Sequence, residues 1–194
     1  DHQGRLLVGT NEGINIRGKD GWQVFANLNS GLKDDFVNCI YEGPDHSLWC
    51  CTNKGVYQRI SDNAWLPFAG NNRLLSDTVY CMVLDDAGNK WFGTADGLCQ
   101  FNANNEPQQL LTFEADDQLS AGRIIALQRD SADNIWCATR KGLAICREGT
   151  WYNYNYEDGL PATVVTALYL QREGRNYVGF QGGGLSAVHL LDAK

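Results

Sequence analysis

Short apolar stretches alternate with clusters of turn-forming residues along the whole chain. In the segment 37–78, stretches at 37–42, 47–52, 56–60 and 64–69 are separated by Gly-Pro-Asp, Thr-Asn-Lys-Gly and Ser-Asp-Asn. Short stretches rich in β-branched and aromatic residues, bounded by such turn residues, are typical of β-strands. The segment therefore predicts four antiparallel strands, which are labelled a to d in chain order.

This four-strand pattern recurs at a nearly constant interval. The stretch 91–98 reads Trp-Phe-Gly-Thr-Ala-Asp-Gly-Leu, and near-copies begin at Leu7, Trp49, Trp136 and Tyr177, so that successive copies start 42, 42, 45 and 41 residues apart. A second series lies in strand d, where Trp or Leu is followed three residues later by Phe or Tyr. Four strands in every repeat of about 40 to 45 residues are the signature of a β-propeller blade.

We therefore predict an all-β fold, a β-propeller of about five four-stranded antiparallel blade repeats. The repeats are 1–36, 37–78, 79–123, 124–164 and 165–194, within a single propeller domain or fragment. The first repeat lacks strand a and the last lacks strand d, so the two ends do not complement each other into a closed ring. An open propeller exposes apolar faces and strand edges. We expect part of a larger propeller, or a chain that completes its ring with another copy.

The repeated residues have predicted structural roles. The Trp in strand b supplies a large side chain between neighbouring sheets, and the Gly, Ala or Cys two positions later allows close approach. In the Thr-x-x-Gly motif, Gly suits a left-handed backbone conformation in the turn between strands b and c. Asp85, Asp86, Asp130 and Asp133 recur in the turn between strands a and b, where accepting backbone hydrogen bonds is a simpler role than binding calcium.

Composition narrows the functional classes. A net charge of −7 with scattered Lys and Arg opposes nonspecific binding to nucleic acid or anionic membranes. No apolar run reaches the length of a membrane span, and no basic, hydrophobic leader begins the sequence, so no direct membrane contact is expected from this segment. The seven Cys residues form no CxxC pair, which disfavours a zinc motif. A disulfide between Cys39 and Cys51 remains open, but we expect free, buried thiols because Ala and Gly occupy the equivalent positions.

The stretch 85–98, Asp-Asp-Ala-Gly-Asn-Lys-Trp-Phe-Gly-Thr-Ala-Asp-Gly-Leu, resembles the two-component regulator propeller repeat. That repeat typically reads Asp-x-x-Gly-x-Leu-Trp-x-Gly-Thr-x-x-Gly-Leu, and the resemblance recurs in all five repeats. The last repeat departs most, with Tyr177 for Trp and Phe180 for Thr. The resemblance implies a ligand-sensing, extracytoplasmic or periplasmic region of a bacterial hybrid histidine kinase or related signalling protein. Several such propellers sense oligosaccharides from glycan breakdown.

A candidate binding face follows from the repeat geometry. In propellers the loops from strand b to c and from strand d to the next a lie on the same side, which is the usual place for a ligand. Polar side chains in the b–c turns are therefore the candidate ligand-binding residues: Asn11, Glu12, Asn53, Lys54, Asp96, Arg140, Lys141 and Gln181. We expect Tyr152, Tyr156 and the loop 69–78 to add contacts to a sugar ring.

Catalytic motifs are missing from the sequence. There is no GxSxG and no phosphate-binding loop, and His2, His46 and His189 lie in different repeats at unrelated positions. We expect no catalytic residue, metal or cofactor. Three functions remain in competition. The first is a non-catalytic sensor that binds a small glycan-derived ligand and signals to domains outside this chain. The second is a protein interaction scaffold, which includes self-association, and the third and least favoured is a propeller lyase or hydrolase.

Overall fold

The computed structural model describes residues 1–111, 123–171 and 176–188. These residues form five antiparallel sheets, the blades, each built from strands that are consecutive in the chain. The first blade contains β1 (Leu6–Thr10), β2 (Gly13–Gly18) and β3 (Gly21–Phe25), and the second contains β4 (Val37–Glu42), β5 (Leu48–Thr52), β6 (Gly55–Ser61) and β7 (Ala64–Pro67). The third contains β8 (Val79–Leu84), β9 (Lys90–Thr94), β10 (Leu98–Phe101) and β11 (Pro107–Leu111). The fourth contains β12 (Ile124–Arg129), β13 (Ile135–Thr139), β14 (Gly142–Arg147) and β15 (Thr150–Tyr154), and the fifth β16 (Val165–Leu170), β17 (Asn176–Phe180) and β18 (Gly184–Val188).

The described strands confirm the predicted blade count, with three strands in the first and last blades and four in each of the others. Three short helices lie in the loops that connect blades: α1 (Asn27–Ser30) and the 3-10 helices Asn71–Arg73 and Tyr156–Asp158. Strand a of each blade packs against strand a of the next, from β4 through β8 and β12 to β16. Over the described ranges, no extensive contact joins the fifth blade to the first, and no closed ring forms. None of the described helices is long and apolar enough to cross a membrane.

The turn between strands b and c has the predicted left-handed geometry. In the second blade, Thr52 Oγ1 donates to the Gly55 carbonyl at 2.9 Å and accepts from the Lys54 amide at 2.9 Å. Gly55 has a φ of 98°, a region that other residues rarely adopt. The same pair of hydrogen bonds starts from Thr10, Thr94 and Thr139 in the neighbouring blades. The Thr-x-x-Gly motif therefore fixes the turns that carry the predicted binding residues.

The Trp residues of strand b fill the spaces between blades. Trp49 packs in a cluster with side chains of the third blade, Trp91 with the fourth and Trp136 with the fifth. The small residue two positions later is needed because a Cβ on Gly93 would lie only 2.5 Å from Cys81 Sγ and 2.6 Å from Ile124 Cγ2. Each blade thus buries an apolar face by stacking against a neighbouring blade, as the repeat pattern predicts.

In the third and fourth blades, the first aspartate of the a–b turn holds the turn together. Asp130 Oδ1 accepts from the Asn134 amide at 2.9 Å, and Oδ2 accepts from Trp136 Nε1 at 2.8 Å. Asp85 makes the equivalent bonds to Asn89 and Trp91 in the third blade. Both aspartates therefore have the structural role that the sequence predicted, and they also orient the Trp indoles.

The first and last blades each leave one face uncovered. On the first blade, Val8 of β1 and Val24 of β3 both pair with Asn15 of β2, so their side chains lie on the same face of the sheet. Leu6 and Trp22, two residues away on the same strands, share that face, and all four apolar side chains are exposed. On the fifth blade, large side chains on the face away from the fourth blade are also exposed, among them Tyr169 and Leu185. These are the two open faces that an incomplete ring produces.

All seven cysteines are free thiols, as predicted. Cys39 lies directly opposite Cys51 in the β4–β5 register without being bonded to it. Burial raises the pKa of the Cys51 and Cys81 thiols well above their ordinary value, and it raises that of Cys99 to about 11. The thiols act as small apolar side chains in the core.

Candidate functional site

The predicted binding residues all lie in b–c turns at one edge of successive blades. Seven of the eight are exposed, and Asn53 is half-buried. Asn53 Oδ1 accepts from Asn38 Nδ2 at 3.0 Å, and the same Nδ2 donates to the Val79 carbonyl of the third blade at 2.9 Å. The Asn53 amide also donates to Asp34 Oδ2 at 3.2 Å. Asn53 therefore helps to join the second and third blades, whether or not it binds a ligand.

Lys54 lines a cavity of about 440 Å³ at this edge, together with Lys33, Tyr57 and Asn71. Asn71, from the loop 69–78, is held against strand c because its side chain donates to the Val56 carbonyl and accepts from the Val56 amide, both at 2.9 Å. Burial raises the pKa of the Tyr57 hydroxyl, which donates to the Lys54 carbonyl at 3.1 Å. The loop thus forms one wall of a polar recess at the predicted face.

The other predicted side chains are spread over successive turns. Lys141 lines a gap of only about 10 Å³. Tyr152 lies on the outer strand of the fourth blade, where the Arg147 guanidinium stands 5.5 Å from its ring centre. At the Lys54 recess, the structure brings a predicted binding residue together with side chains from two connecting loops and from strand c, namely Lys33, Asn71 and Tyr57.

A larger cavity, which sequence reasoning missed, lies between the second and third blades at the opposite edge, where the a–b and c–d turns meet. Its volume is about 650 Å³. Gln58 lies opposite Leu66 in the β6–β7 register and Ile60 is two residues further on, so the three share one wall. Ile60 and Leu66 are 56% and 51% exposed, and the opposite side includes Asn105 of the third blade. The cavity thus combines an exposed aliphatic wall with side-chain amides.

Two side-chain amides, those of Gln58 and Asn105, belong to residues that line this cavity. Asn105 Oδ1 is buried and has no hydrogen-bond partner within the described part of the chain. Asn105 adopts a φ of 65° in the c–d turn and is held there by its amide, which donates to the Asn102 carbonyl at 2.9 Å. Buried polar atoms are normally paired. Because Oδ1 is shielded from solvent, the Asn105 side chain must rotate before this unpaired acceptor can receive a hydrogen bond from a ligand hydroxyl.

The charged groups at the same cavity are already engaged. Asp45 accepts from the Ser47 hydroxyl at 2.6 Å, and this hydrogen bond lowers the pKa of the carboxyl. Lys90 Nζ donates to the carbonyls of Asn102 at 3.4 Å and Ala103 at 3.2 Å, and burial lowers its pKa. These groups stabilise the turns and give the recess a polar floor.

The expectation that the histidines are unrelated is wrong for two of them. His2 and His46 stack with ring centres 4.1 Å apart, and both Nδ1 atoms approach the same Glu42 carboxylate oxygen. His2 is the second residue of one a–b turn and His46 the fourth residue of the next, so aligned repeats place them in different columns. His189 lies outside the described residues. The structure thus brings together residues of two different columns, which a comparison within single columns does not pair.

The order of strands within each blade recurs along the chain, and the Asp–Trp hydrogen bond of the resembled repeat is present in the third and fourth blades. Residues 31–54 match the two component regulator propeller family model. The matched regulator propeller segment includes strands a and b of the second blade and the Thr-x-x turn. The predicted resemblance is therefore confirmed over this segment. No curated protein sequence matches the chain.

Solved structures show the same fold beyond the matched segment. The extracellular domain of the hybrid two component system BT4673 from B. thetaiotaomicron is 16% identical, with a TM-score of 0.78 over 98% of this chain and 26% of that one. PorZ of Porphyromonas gingivalis, a surface component of the type-IX secretion system, is 17% identical, with a TM-score of 0.72 over 97% of this chain and 31% of PorZ. Virginiamycin B lyase from Staphylococcus aureus is 10% identical, with a TM-score of 0.70 over 95% of this chain and 66% of the lyase. This chain thus spans about a quarter of the BT4673 domain, and at these identities the likeness establishes the propeller fold alone.

Proposed function

We propose that the chain is the non-catalytic, ligand-sensing region of an extracytoplasmic bacterial receptor, and that it binds a small glycan-derived ligand. The regulator propeller match at 31–54 and the fold shared with the extracellular domain of BT4673 support the class of protein. The ligand-binding event is passed to signalling domains outside this chain. Binding, rather than chemistry, is the role for which the recesses between blades are suited.

The cavity between the second and third blades is the observation that carries this proposal. Its volume of about 650 Å³ falls in the range of about 300 to 1,000 Å³ that is usual for small-ligand sites. A sugar presents apolar C–H faces and a rim of hydroxyls. The wall of Ile60 and Leu66 can cover an apolar C–H face of the sugar. The side-chain amides of Gln58 and Asn105 can form hydrogen bonds with its hydroxyls.

A ligand in this cavity would touch both blades at once. Gln58 and Leu66 belong to the second blade, whereas Asn105 belongs to the third. Binding would therefore stabilise one relative arrangement of the two blades over others, which is the physical requirement for passing a signal onward. Each ligand contact that is stronger in one arrangement of the blades than in the other increases the population of that arrangement.

The carboxylates of the cavity favour binding over catalysis. A general acid or base must be free to exchange a proton with the substrate. Asp45 accepts a hydrogen bond from Ser47, and Asp86 forms an ion pair with Arg129. Asp85 accepts hydrogen bonds from Asn89 and Trp91. These engaged groups leave catalysis by a lyase or hydrolase as the least supported of the three functions.

Calorimetric titration of the purified chain with a panel of oligosaccharides tests this function. We expect saturable binding of at least one oligosaccharide, weakened about tenfold by Gln58→Ala or Asn105→Gly, since each loses about one hydrogen bond. Asn105→Gly keeps a residue that accepts the positive φ, so the turn is preserved. Asp96→Ala, on the opposite edge, is the matched control and should bind normally. Absence of binding across the panel would contradict a glycan ligand, and loss of binding in Asp96→Ala alone would move the site to the b–c face.

The exposed face of the first blade favours a second candidate function, a protein interaction scaffold. Leu6 and Val8 on β1 and Trp22 and Val24 on β3 form two exposed apolar strips, with Asn15 and Arg17 of β2 between them. Exposed apolar surface of this kind marks contact with another protein or another copy. Replacing Val8 and Val24 by Thr keeps β-propensity and removes apolar surface. If the double variant abolishes self-association while sugar binding persists, this face is an assembly surface rather than the sensing site.

A further inference from the structure

The outer edge between the first two blades holds three side chains with metal-binding chemistry. His46 Nδ1 lies 3.7 Å from Glu42 Oε1, His2 Nδ1 contacts the same oxygen, and the three ligand atoms all lie within 4.8 Å of one another. We propose that His2, Glu42 and His46 bind a divalent transition-metal ion, with Zn²⁺ as the fitting example. The recess that holds this site adjoins the sugar cavity, with which it shares Ser47 and Ile60, but the proposal does not depend on the sensing function.

The ligand set fits zinc better than calcium or magnesium. Zinc is bound by imidazole nitrogen and carboxylate oxygen at about 2.0 to 2.2 Å, whereas calcium and magnesium prefer oxygen ligands alone. Tetrahedral bonds of that length place neighbouring ligand atoms about 3.4 Å apart. The observed separation of 3.7 Å between His46 and Glu42 needs only a small side-chain adjustment. Three protein ligands would leave one position for water or an external ligand.

The backbone holds the three groups in place. Both Glu42 carboxylate oxygens accept from the His2 amide at 3.0 Å. His46 is fixed by a turn in which its amide donates to the Gly43 carbonyl at 2.9 Å and its own φ is 63°. Glu42 and His46 come from the second blade and His2 from the first. A bound ion would therefore link the two blades.

The equivalent junction between the third and fourth blades shows what these positions do elsewhere. There Arg129 occupies the position of Glu42, while Asp86 and Asp133 occupy those of His2 and His46. Arg129 Nη1 lies 3.1 Å from Asp133 Oδ1 and also contacts Asp86, and the Asp86 amide donates to Asp133 Oδ1 at 3.0 Å. That junction has its own cation between two carboxylates. The first junction instead has a carboxylate in the central position with an imidazole on each side, so no side chain there supplies a permanent cation.

The two arginines near the proposed metal site are each paired with a carboxylate. Arg5 and Arg59 line the same shallow recess, but Arg5 is paired with Asp1 at 2.6 Å and Arg59 with Asp62 at 3.4 Å. The chain also carries a net charge of −7, which attracts cations. The electrostatic surroundings therefore permit a divalent ion at Glu42.

Zinc titration of the chelator-treated full chain by calorimetry tests the site. We expect one Zn²⁺ per chain, with affinity lowered at least about tenfold in His46→Gln and in Glu42→Gln, because even outer-shell partners of metal ligands cost about 10 to 100-fold. Glu157→Gln, at an exposed residue in the loop between the fourth and fifth blades, is the matched control for Glu42→Gln and should bind like the wild type. At about a hundredfold excess over Kd, zinc should raise the thermal midpoint by roughly 5 to 10 °C in the wild type and much less in the variants.

Cobalt distinguishes this site from the seven thiols. Co²⁺ bound by His and Glu gives weak visible bands without the intense near-ultraviolet charge transfer of a cobalt thiolate. Circular dichroism of each variant confirms that it is folded before titration, and Glu42→Gln, which keeps the shape of the side chain, serves if a histidine variant unfolds. Absence of binding, thiolate charge transfer, or wild-type affinity in both His46→Gln and Glu42→Gln would each overturn the site.

Discussion

Replacing Trp136 by Ala tests whether the Trp residues of strand b hold the blades together. Trp136 is fully buried, packs with Val165, Leu168 and Val178 of the fifth blade, and donates to Asp130 Oδ2 at 2.8 Å. Truncation of a buried Trp costs about 3 to 5 kcal/mol. Loss of the hydrogen bond adds about 1 kcal/mol, because Asp130 Oδ2 keeps its other donor, Asn134 Nδ2 at 2.9 Å. We therefore expect the free energy of unfolding to fall by about 4 to 6 kcal/mol.

Urea denaturation followed by circular dichroism measures this loss without relying on Trp fluorescence. The matched control is Trp22→Ala, in which a Trp that is 48% exposed on the open face of the first blade is removed. Its interaction with Arg17, 5.7 Å from the ring centre, is worth at most about 1 kcal/mol. Equal losses for the two variants, or a loss below about 2 kcal/mol for Trp136→Ala, would refute the view that the strand b Trp residues are the main contacts between blades.

Three further predictions follow from the same structure. Gly142→Ala should destabilise the chain by about 1 to 3 kcal/mol in thermal denaturation, because φ is 141° and the new Cβ would lie 2.1 Å from the Tyr154 carbonyl oxygen. Gly149→Ala should cost less, since its φ is 80° but no atom lies near the new Cβ. A larger loss for Gly149→Ala would contradict the close approach of Tyr154 to Gly142. Buried thiols should react slowly with a thiol reagent when the chain is folded and number seven when it is unfolded, whereas a count of five would show an oxidised pair. Stability should also fall as pH rises above about 8.5, because the raised pKa values of Cys51, Cys81 and Cys137 keep these thiols protonated in the folded chain while they ionise in the unfolded one. Light scattering should give a mass above the 21.5 kDa of one chain, because the two open apolar faces favour association, and a strictly monomeric mass at high concentration would contradict that.

The fold was predictable because its determinants are local and repeated. The Thr-x-x-Gly turn, the Asp–Trp hydrogen bond and the small residue after Trp each act within a few residues, and they recur with one period. The short helices at 27–30 and 71–73 were not predicted, since they lie in connecting loops whose lengths and residues differ between repeats. Local signals therefore define the blades, but they do not define the conformation of the loops between them.

The sites were less predictable because their residues come from different repeats and different columns. Gln58 and Asn105 meet across two blades, although one lies in strand c and the other in a c–d turn. His2 and His46 meet because the second position of one a–b turn packs against the fourth position of the next. The charges of Asp86, Arg129 and Asp133 at the same three positions were the signal that could have revealed this junction. The candidates in the b–c turns stay a prediction.

Mapping the bound sugar on the chain tests the central claim most directly. Chemical-shift changes would be recorded by nuclear magnetic resonance on isotope-labelled protein during titration with the oligosaccharide that binds most tightly. We predict that the largest changes fall on Gln58, Ile60 and Asn105, the three residues that define the cavity between the second and third blades. Changes centred on Asp96 and Arg140 in the b–c turns would contradict a sensing site in that cavity.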